Sequence, residues 1–408
     1  MTYDNSSSPL VLPGVRKTGL ANLSRRNFMR GVGAGGAAAA AAGLLSACGA
    51  GSSSSPSAGG SATPTATDKL VISNWPAYID RATVNGVKVS PTLEAYQKQT
   101  GVAVTYNQDV NDNEEFFAKV RNALAAGEPT GRDMFMLTDW MAAKLIRLKW
   151  LETIDKANVP NGTNLIAPLA DVAFDPNRDY SLPWQSGLTG ISVNKNVYDG
   201  EVNTITELLT KPDLKGRVTV LTEMRDTMGL ILLDQGANPA DFTIDQWSKA
   251  MDFLQTAVDS GQIRAFTGND YLQGLQQGDI AACMAWSGDI IQAQYDDPKI
   301  AFVVPDAGAM LWSDNMLIPN GAVNKLNAES WMNYYYDPKV AAELAAWVNY
   351  ICPVQGAQDA MKKIDPSLVD NPLIFPTEQD YANLSVFRGL TEDEETAFTE
   401  QFLAVQGA

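Results

Sequence analysis

The chain has 408 residues, with 30 Lys and Arg against 47 Asp and Glu, a formal net charge of −17 and no histidine. The length suits two domains of ordinary size, and the acidity excludes nucleic acid as a partner, since the field repels phosphate. Without histidine there is no Ser-His-Asp or Cys-His catalysis, and the commonest transition-metal ligand is missing. An acidic surface concentrates cations and so favours cationic small molecules, although solubility alone also explains it.

At the N-terminus, Ser24-Arg25-Arg26-Asn27-Phe28-Met29-Arg30 is similar to a twin-arginine export signal, and a weakly apolar Gly/Ala stretch runs over residues 31–47. That stretch is too short and too poor in large apolar side chains for a membrane span of roughly 20 residues. Leu45-Ser46-Ala47-Cys48 reads as a lipobox. Residues 1–47 are expected to leave as a signal peptide, with Cys48 lipidated as the new N-terminus. Gly49 to Thr67 contains neither charge nor aromatic, so 48–67 reads as a lipidated cysteine and flexible tether, reaching roughly 24 Å. The folded body is then expected on the outer face of the cytoplasmic membrane or in the periplasm, held by its lipid. In an oxidising compartment Cys283 and Cys352 either form a disulfide or remain two buried thiols.

Along the body, Leu70–Ser73 reads as a strand, Thr92–Gln99 as a helix ending at Thr100-Gly101, and Val102–Tyr106 as a second strand. Asn113–Ala126 is an amphipathic helix with Phe116, Phe117, Val120 and Leu124 on one face and Gly127 as its stop. Met134–Leu137 is the next strand. This βαβαβ run predicts a mostly parallel sheet covered by helices on both faces. A second set starts after Pro183, with strands at Gly190–Val193 and Val218–Leu221 and a helix at Thr227–Asp234. Further elements are expected at Gln246–Val258 and Ile280–Ala285, then strands at 301–304 and 316–318 joined across Asp306–Asp314. A last helix, Glu392–Leu403, should pack Phe398 and Phe402 onto the body. The chain thus reads as α/β, crossing between two lobes.

Aromatic and acidic residues recur just past apolar strands, where open α/β sheets bind ligands. They are Trp75 and Tyr78; Thr138, Asp139 and Trp140; Glu223 to Asp226; Trp286 and Asp289; and Trp312 and Asp314. Carboxylates receive ammonium groups by charge-assisted hydrogen bonds, and indole faces hold methylenes and attract positive charge. Each residue also has a purely structural reading. A tryptophan is commonly core, Asp226 suits a helix N-cap whereas Glu223 fits one less well, and Asp314 suits a turn that bonds its own backbone.

The order Asn74-Trp75…Tyr78, Asp133…Thr138-Asp139-Trp140, Phe174-Asp175-Pro176…Tyr180-Ser181-Leu182-Pro183-Trp184, Leu221-Thr222-Glu223…Arg225-Asp226, Ala285-Trp286-Ser287-Gly288 and Trp312-Ser313-Asp314 resembles the periplasmic spermidine/putrescine-binding proteins of ABC transporters. The resemblance spans nearly the whole body. It implies a two-lobed type II periplasmic-binding-protein fold with a polyamine between the lobes, no catalysis and no cofactor or metal. It further implies aromatic walls at Trp75 and Tyr78, a small hydroxyl at Thr138 and Trp140 in place of the usual tyrosine. Glu223 and Asp226 match an acidic pair from the second lobe, Trp286 and Trp312 two stacking tryptophans, Asp314 the aspartate for the other amine, and Tyr350 a further tyrosine. Pro76-Ala77 stands where Thr-Glu is common, Gly268 replaces a serine, and the C-terminal polar contact near Phe387-Arg388 has no clear match. Lobe one is expected at 68–187 with 312–358 and lobe two at 188–311 with 359–408, hinged near 185–188 and 310–312. Asp139 and Asp289 are candidates to compensate for the missing acid.

The implied partners are a membrane permease and, through the lipid, the membrane itself, with the binding protein a monomer. Two other readings compete. One is a binder of a different cation or a metal, for which Tyr334-Tyr335-Tyr336 offers phenolates, though adjacent side chains point apart. The other is an extracellular glycosidase using two of Glu223, Asp226 and Asp314 as acid and base.

Overall fold

The computed structural model describes residues 68–407 apart from Ala77 and Asn111; the export signal, Cys48 and the tether lie outside the described residues. Its first half follows the apolar runs closely. Strand β1 (Lys69–Ser73) pairs in parallel with β2 (Ala103–Asn107) on one side and with β3 (Met134–Thr138) on the other. Helix α1 (Pro91–Thr100) begins where the Ser90 hydroxyl accepts from the Leu93 amide and ends at Gly101. Helix α2 (Asn113–Ala126) begins on Asp112, ends at Gly127 and buries Phe116, Val120 and Leu124. Helix α3 (Asp139–Arg147) follows β3 at once.

The middle of the sheet departs from the parallel expectation. Strand β4 (Ser181–Asn194) and strand β9 (Ala309–Leu317) are long, antiparallel to each other, and inserted between two parallel groups. The second group comprises β5 (Val218–Leu221), β6 (Ile263–Thr267) and β7 (Ala282–Trp286), and the order across the sheet is β2-β1-β3-β9-β4-β7-β5-β6. Strand β8 (Ile300–Val303) runs antiparallel to the far end of β4, and the short β10 (Leu384–Ser385) lies on β9. The sheet is therefore mixed, and its two central strands belong to both halves.

The difference has a local cause. All 14 residues of β4 are buried, so it lacks polar alternation, and Pro183 reads as a break because proline donates no ladder hydrogen bond. Pro183 is tolerated opposite Asn315, beside a register shift between Asp314 and Asn315, where a bulge relaxes the pairing. Trp312 to Asn315, expected as a loop before a strand at 316–318, is part of β9 itself.

Helices α4 (Met224–Asp234), α5 (Ile244–Asp259), α6 (Tyr271–Gln277) and α7 (Ser287–Asp296) cover the second half. Helices α8 (Lys325–Tyr335), α9 (Pro338–Val348) and α10 (Ala357–Ile364) return to the first. Here Trp184 is fully buried, with its ring centroid 4.4 Å from Tyr335 and 6.0 Å from Trp331. The C-terminal helix α11 (Glu392–Gln406) stacks Phe398 on Trp247 at 4.0 Å and sets Phe402 edge-on to Phe266. Residues 359–408 divide between the halves, since α10 packs on α9 while α11 packs on α5. No helix of the described residues is long and apolar enough to cross a membrane.

The two body cysteines are free and buried, so of the two alternatives left open the structure takes the unbridged one. Cys283 lies in β7 within reach of the Thr219 hydroxyl, whereas Cys352 follows the bridge between Ser186 and Ile351 and donates its amide to Ile374. Burial pushes the Cys283 thiol far up and the Cys352 thiol to about 12, leaving neither ionised at neutral pH.

Candidate functional site

At the carboxyl ends of β1, β3, β5 and β7 a cleft of about 950 Å³ opens between the two halves of the sheet. All ten residues singled out in the sequence line it: Trp75, Tyr78, Thr138, Trp140 and Tyr350 with Glu223, Asp226, Trp286, Trp312 and Asp314. Most are placed by a strand end or helix start, whereas Trp312 and Asp314 lie within β9 and Tyr350 follows the end of α9. Asn74 bonds its side chain to the Trp75 amide at 2.8 Å and to the Tyr106 hydroxyl at 2.7 Å, fixing the turn after β1. Trp184 donates its indole N–H to the Tyr78 carbonyl at 3.2 Å. Tyr350 follows Asn349, which closes α9 with φ 58°. Its ring lies edge-on, 5.5 Å from both Tyr78 and Trp312.

The tightest packing is under two of these rings. A Cβ on Gly187 would lie 2.3 Å from the Trp312 indole, and one on Gly288 would lie 2.6 Å from the Tyr350 ring, so both positions require glycine. Trp312 is further pinned by its Nε1–H, which donates to Thr189 Oγ1 at 3.0 Å, and Trp286 by donating to Asp226 Oδ2 at 2.8 Å. The indole N–H groups of Trp75 and Trp140 are buried without a protein acceptor.

Several helices start at the cleft, α3, α4 and α7 among them, and helix N-termini favour negative charge. Glu223, not Asp226, is the N-cap of α4, accepting from the Arg225 amide at 3.3 Å. Asp226 sits one turn further in and is nearly fully buried. Thr138 holds the N-cap position of α3 yet makes no capping bond. Its hydroxyl donates instead to Asp314 Oδ1 at 2.8 Å while accepting from Asn113 Nδ2 at 2.9 Å. Asp314 is strand-borne, and the turn reading falls because β9 pairs it with both Thr138 and Gln185.

The acidic residues then separate into two kinds. Asp139 accepts from the Ser313 amide at 2.9 Å and Asn315 Nδ2 at 2.7 Å, with the buried Arg178 as its counter-charge. Asp289 accepts from Asn269 at 2.8 Å and from the Tyr271 hydroxyl at 3.1 Å. Both candidates for a compensating acid are thus committed to holding the walls. Asp226 and Asp314 make no ion pair among the described residues and have few donors. Burial, chiefly, raises Asp226 to about 6 and Asp314 to about 7; bonds from Trp286 and from Thr138 pull the other way. Burial likewise raises Glu223 to about 7 against the opposing pull of Arg225. Burial and then the neighbouring Asp314 hold the Tyr78 phenol well above its ordinary range.

Sequence reasoning assigned no role to Arg225, which reaches into the cleft with its guanidinium carbon 3.8 Å from the Trp140 ring centroid. Nor did it find Gln273 and Gln276 of α6, which line the wall beside Gly268; a polar helix face carries no signal of what it borders. Tyr335 and Tyr336 are buried, donating to the Trp184 and Pro183 carbonyls, while Tyr334 points to the Thr92 carbonyl. The three phenols do not converge, and among the described residues no group of three or more His, Cys, Asp or Glu is placed to hold a metal ion.

Residues 92–376 match the family model of bacterial extracellular solute-binding proteins. The chain belongs to that family. Among its relatives, a spermidine/putrescine-binding periplasmic protein of Salmonella typhimurium is 25% identical over 312 residues, 76% of this chain and 84% of the relative. A putrescine/cadaverine-binding protein of Pseudomonas aeruginosa is 27% identical over 354 residues, 84% of this chain and 94% of the relative. A solved structure described as a putative spermidine/putrescine ABC transporter from Listeria monocytogenes superposes with a TM-score of 0.71 at 26% identity, over 83% of this chain and 99% of that one. The solute-binding protein therefore has the fold that the sequence resemblance implies, with its two long antiparallel strands running between the halves.

Proposed function

We propose that this protein is an extracytoplasmic binding protein that captures a polyamine between two lobes and delivers it to a membrane permease, performing no chemistry itself. The observation that carries the reading is a pair of buried carboxylates, Asp226 and Asp314, without ion-pair partners among the described residues and framed by Trp286, Trp312, Tyr78 and Tyr350. A carboxylate that burial keeps from ionising gains most from a cation delivered with an apolar stem. Cation–π contact with the surrounding rings adds about 0.5–2 kcal/mol each. The acidic field of the whole chain and the polyamine ligands named for its relatives support the same class.

In this reading the lobes divide at Gly187 and Leu188 on β4 and at Leu311 and Trp312 on β9, which face each other in register, and α10 goes with the first lobe. Closure brings Asp314 and Asp226 onto one ligand and expels water, strengthening each contact. Twin-arginine export, lipidation at Cys48, tethering by 49–67 and a monomeric state complete the proposal. Replacing Cys48 by Ser should release the protein from the membrane fraction, and retention there would refute the anchor.

Calorimetric titration with putrescine, spermidine and spermine, with arginine and a neutral sugar as controls, tests the ligand class. Micromolar or tighter binding confined to the polyamines is expected. Folded protein that gives no heat with any of them would show the specificity to be misread.

A further inference from the structure

Two of the groups that the resemblance assigns to a ligand are already engaged by a side chain of the protein. The Arg225 guanidinium lies over Trp140, with Nη1 3.8 Å from Glu223 Oε1 and Nη2 3.7 Å from Glu395 Oε1. Arg225 lies in the first turn of α4 and Trp140 in the first turn of α3, so the guanidinium reaches from one half of the sheet to the other. Glu395 on α11 also meets Lys144 at 3.4 Å and Arg147 at 3.7 Å, both on α3. The Arg225 side chain is only 11% exposed.

A planar cation on an indole face beside a carboxylate is the arrangement that a ligand's ammonium group would itself adopt. At this end of the cleft that position is filled. An amine brought there meets a like charge, and displacing the guanidinium would leave it buried without its platform. Of the three carboxylates that the resemblance assigns to the ligand, the two without such a partner among the described residues are Asp226, which accepts from the Trp286 indole, and Asp314.

We propose that Arg225 is a built-in cation that closes one end of the cleft and limits the ligand to two amines, so that a short α,ω-diamine is bound in preference to a triamine. This rests on the polyamine reading above. Titration of the full chain with putrescine and spermidine should give the diamine an affinity at least about tenfold higher. Arg225→Gln, which keeps most of the stem and removes the charge, should move the ratio of the two affinities at least about tenfold toward spermidine. Arg225→Lys should leave the order unchanged. Arg264→Gln, whose guanidinium bonds the Asp279 carbonyl outside the cleft, corrects for the change in net charge.

Spermidine bound by the unaltered protein as tightly as putrescine would overturn the proposal, as would the same ratio in Arg225→Gln and Arg264→Gln. The first comparison decides the matter even if Arg225→Gln does not fold. Binding of both amines with an unchanged ratio removes only the gate, whereas folded protein that binds neither removes the polyamine reading and the gate together.

Discussion

Asp314 carries two opposed demands, because the burial that suits it to a cation also disfavours its charge when the cleft is empty. Its pKa in the folded chain is raised to about 7 from an ordinary carboxylate value. Such a group contributes stability that is fully present below its unfolded pKa and is lost as pH rises toward 7. Asp314→Asn should therefore make the ligand-free protein more stable at pH 8, on the order of 2–4 kcal/mol at about 1.4 kcal/mol per unit, with the gain vanishing near pH 4. Denaturant melts at the two pH values measure it. The same substitution should weaken polyamine binding at least about tenfold, or 1.4 kcal/mol. In the unaltered protein affinity should fall as pH drops through about 7 and then about 6, since the cation needs Asp314 and Asp226 ionised. Calorimetry at pH 6.5 in buffers of different ionisation enthalpy should detect protons released on binding, and an affinity flat from pH 8 to 5 would refute the role of both. None of this burial could be read from the chain. The tetrapeptide Trp312-Ser313-Asp314-Asn315 has the composition of a turn, and only its pairing with Thr138 and Gln185 makes it a strand.

At the scale of elements, legibility followed periodicity. Helix α2 was plain because Phe116, Val120 and Leu124 repeat at helical spacing between an Asp cap and a Gly stop. Strands β1, β3 and β5 were plain as short apolar runs. Strands β4 and β9 were misjudged in length because burial on both faces erases alternation, and a proline and a bulge fall where they pair. Glu223 was misjudged for a related reason, since capping depends on where the backbone turns and the helix starts three residues earlier than the apolar pattern suggests. The pairing of β4 with β9 also leads to a test. Gly187 stands opposite Trp312 where the halves meet, and a Cβ there would collide with the indole at 2.3 Å. Gly187→Ala should cost about 1–3 kcal/mol of stability and, by turning Trp312, weaken ligand binding further than the stability loss explains. Thermal melts together with titration separate the two effects, and unchanged affinity would show that the indole does not face the ligand.

For the molecule as a whole, charge governs encounter and the sheet governs fit. With a net charge of −17, capture of a dication should be fast at low ionic strength. It should slow as salt shortens the Debye length from about 30 Å at 0.01 M to about 8 Å at 0.15 M. Stopped-flow tryptophan fluorescence would measure this, and an association rate insensitive to salt would confine the acidity to a role in solubility. The two halves and their cleft were legible because six short motifs kept their order along the chain, whereas Arg225 stayed hidden because nothing in a sequence says which cation a carboxylate will keep for itself. Asp314 is carried by a strand shared between the halves, and Asp226 by the helix that leaves β5. Once the lobes have closed, their separation is thus set by hydrogen-bonded backbone at one end and a capped helix at the other. The closed cleft is a calliper whose jaw faces are rigid. Drift in ligand length within such a lineage should then be recorded in the side chains that fill the gap, while insertions in the connecting loops leave the measured length untouched.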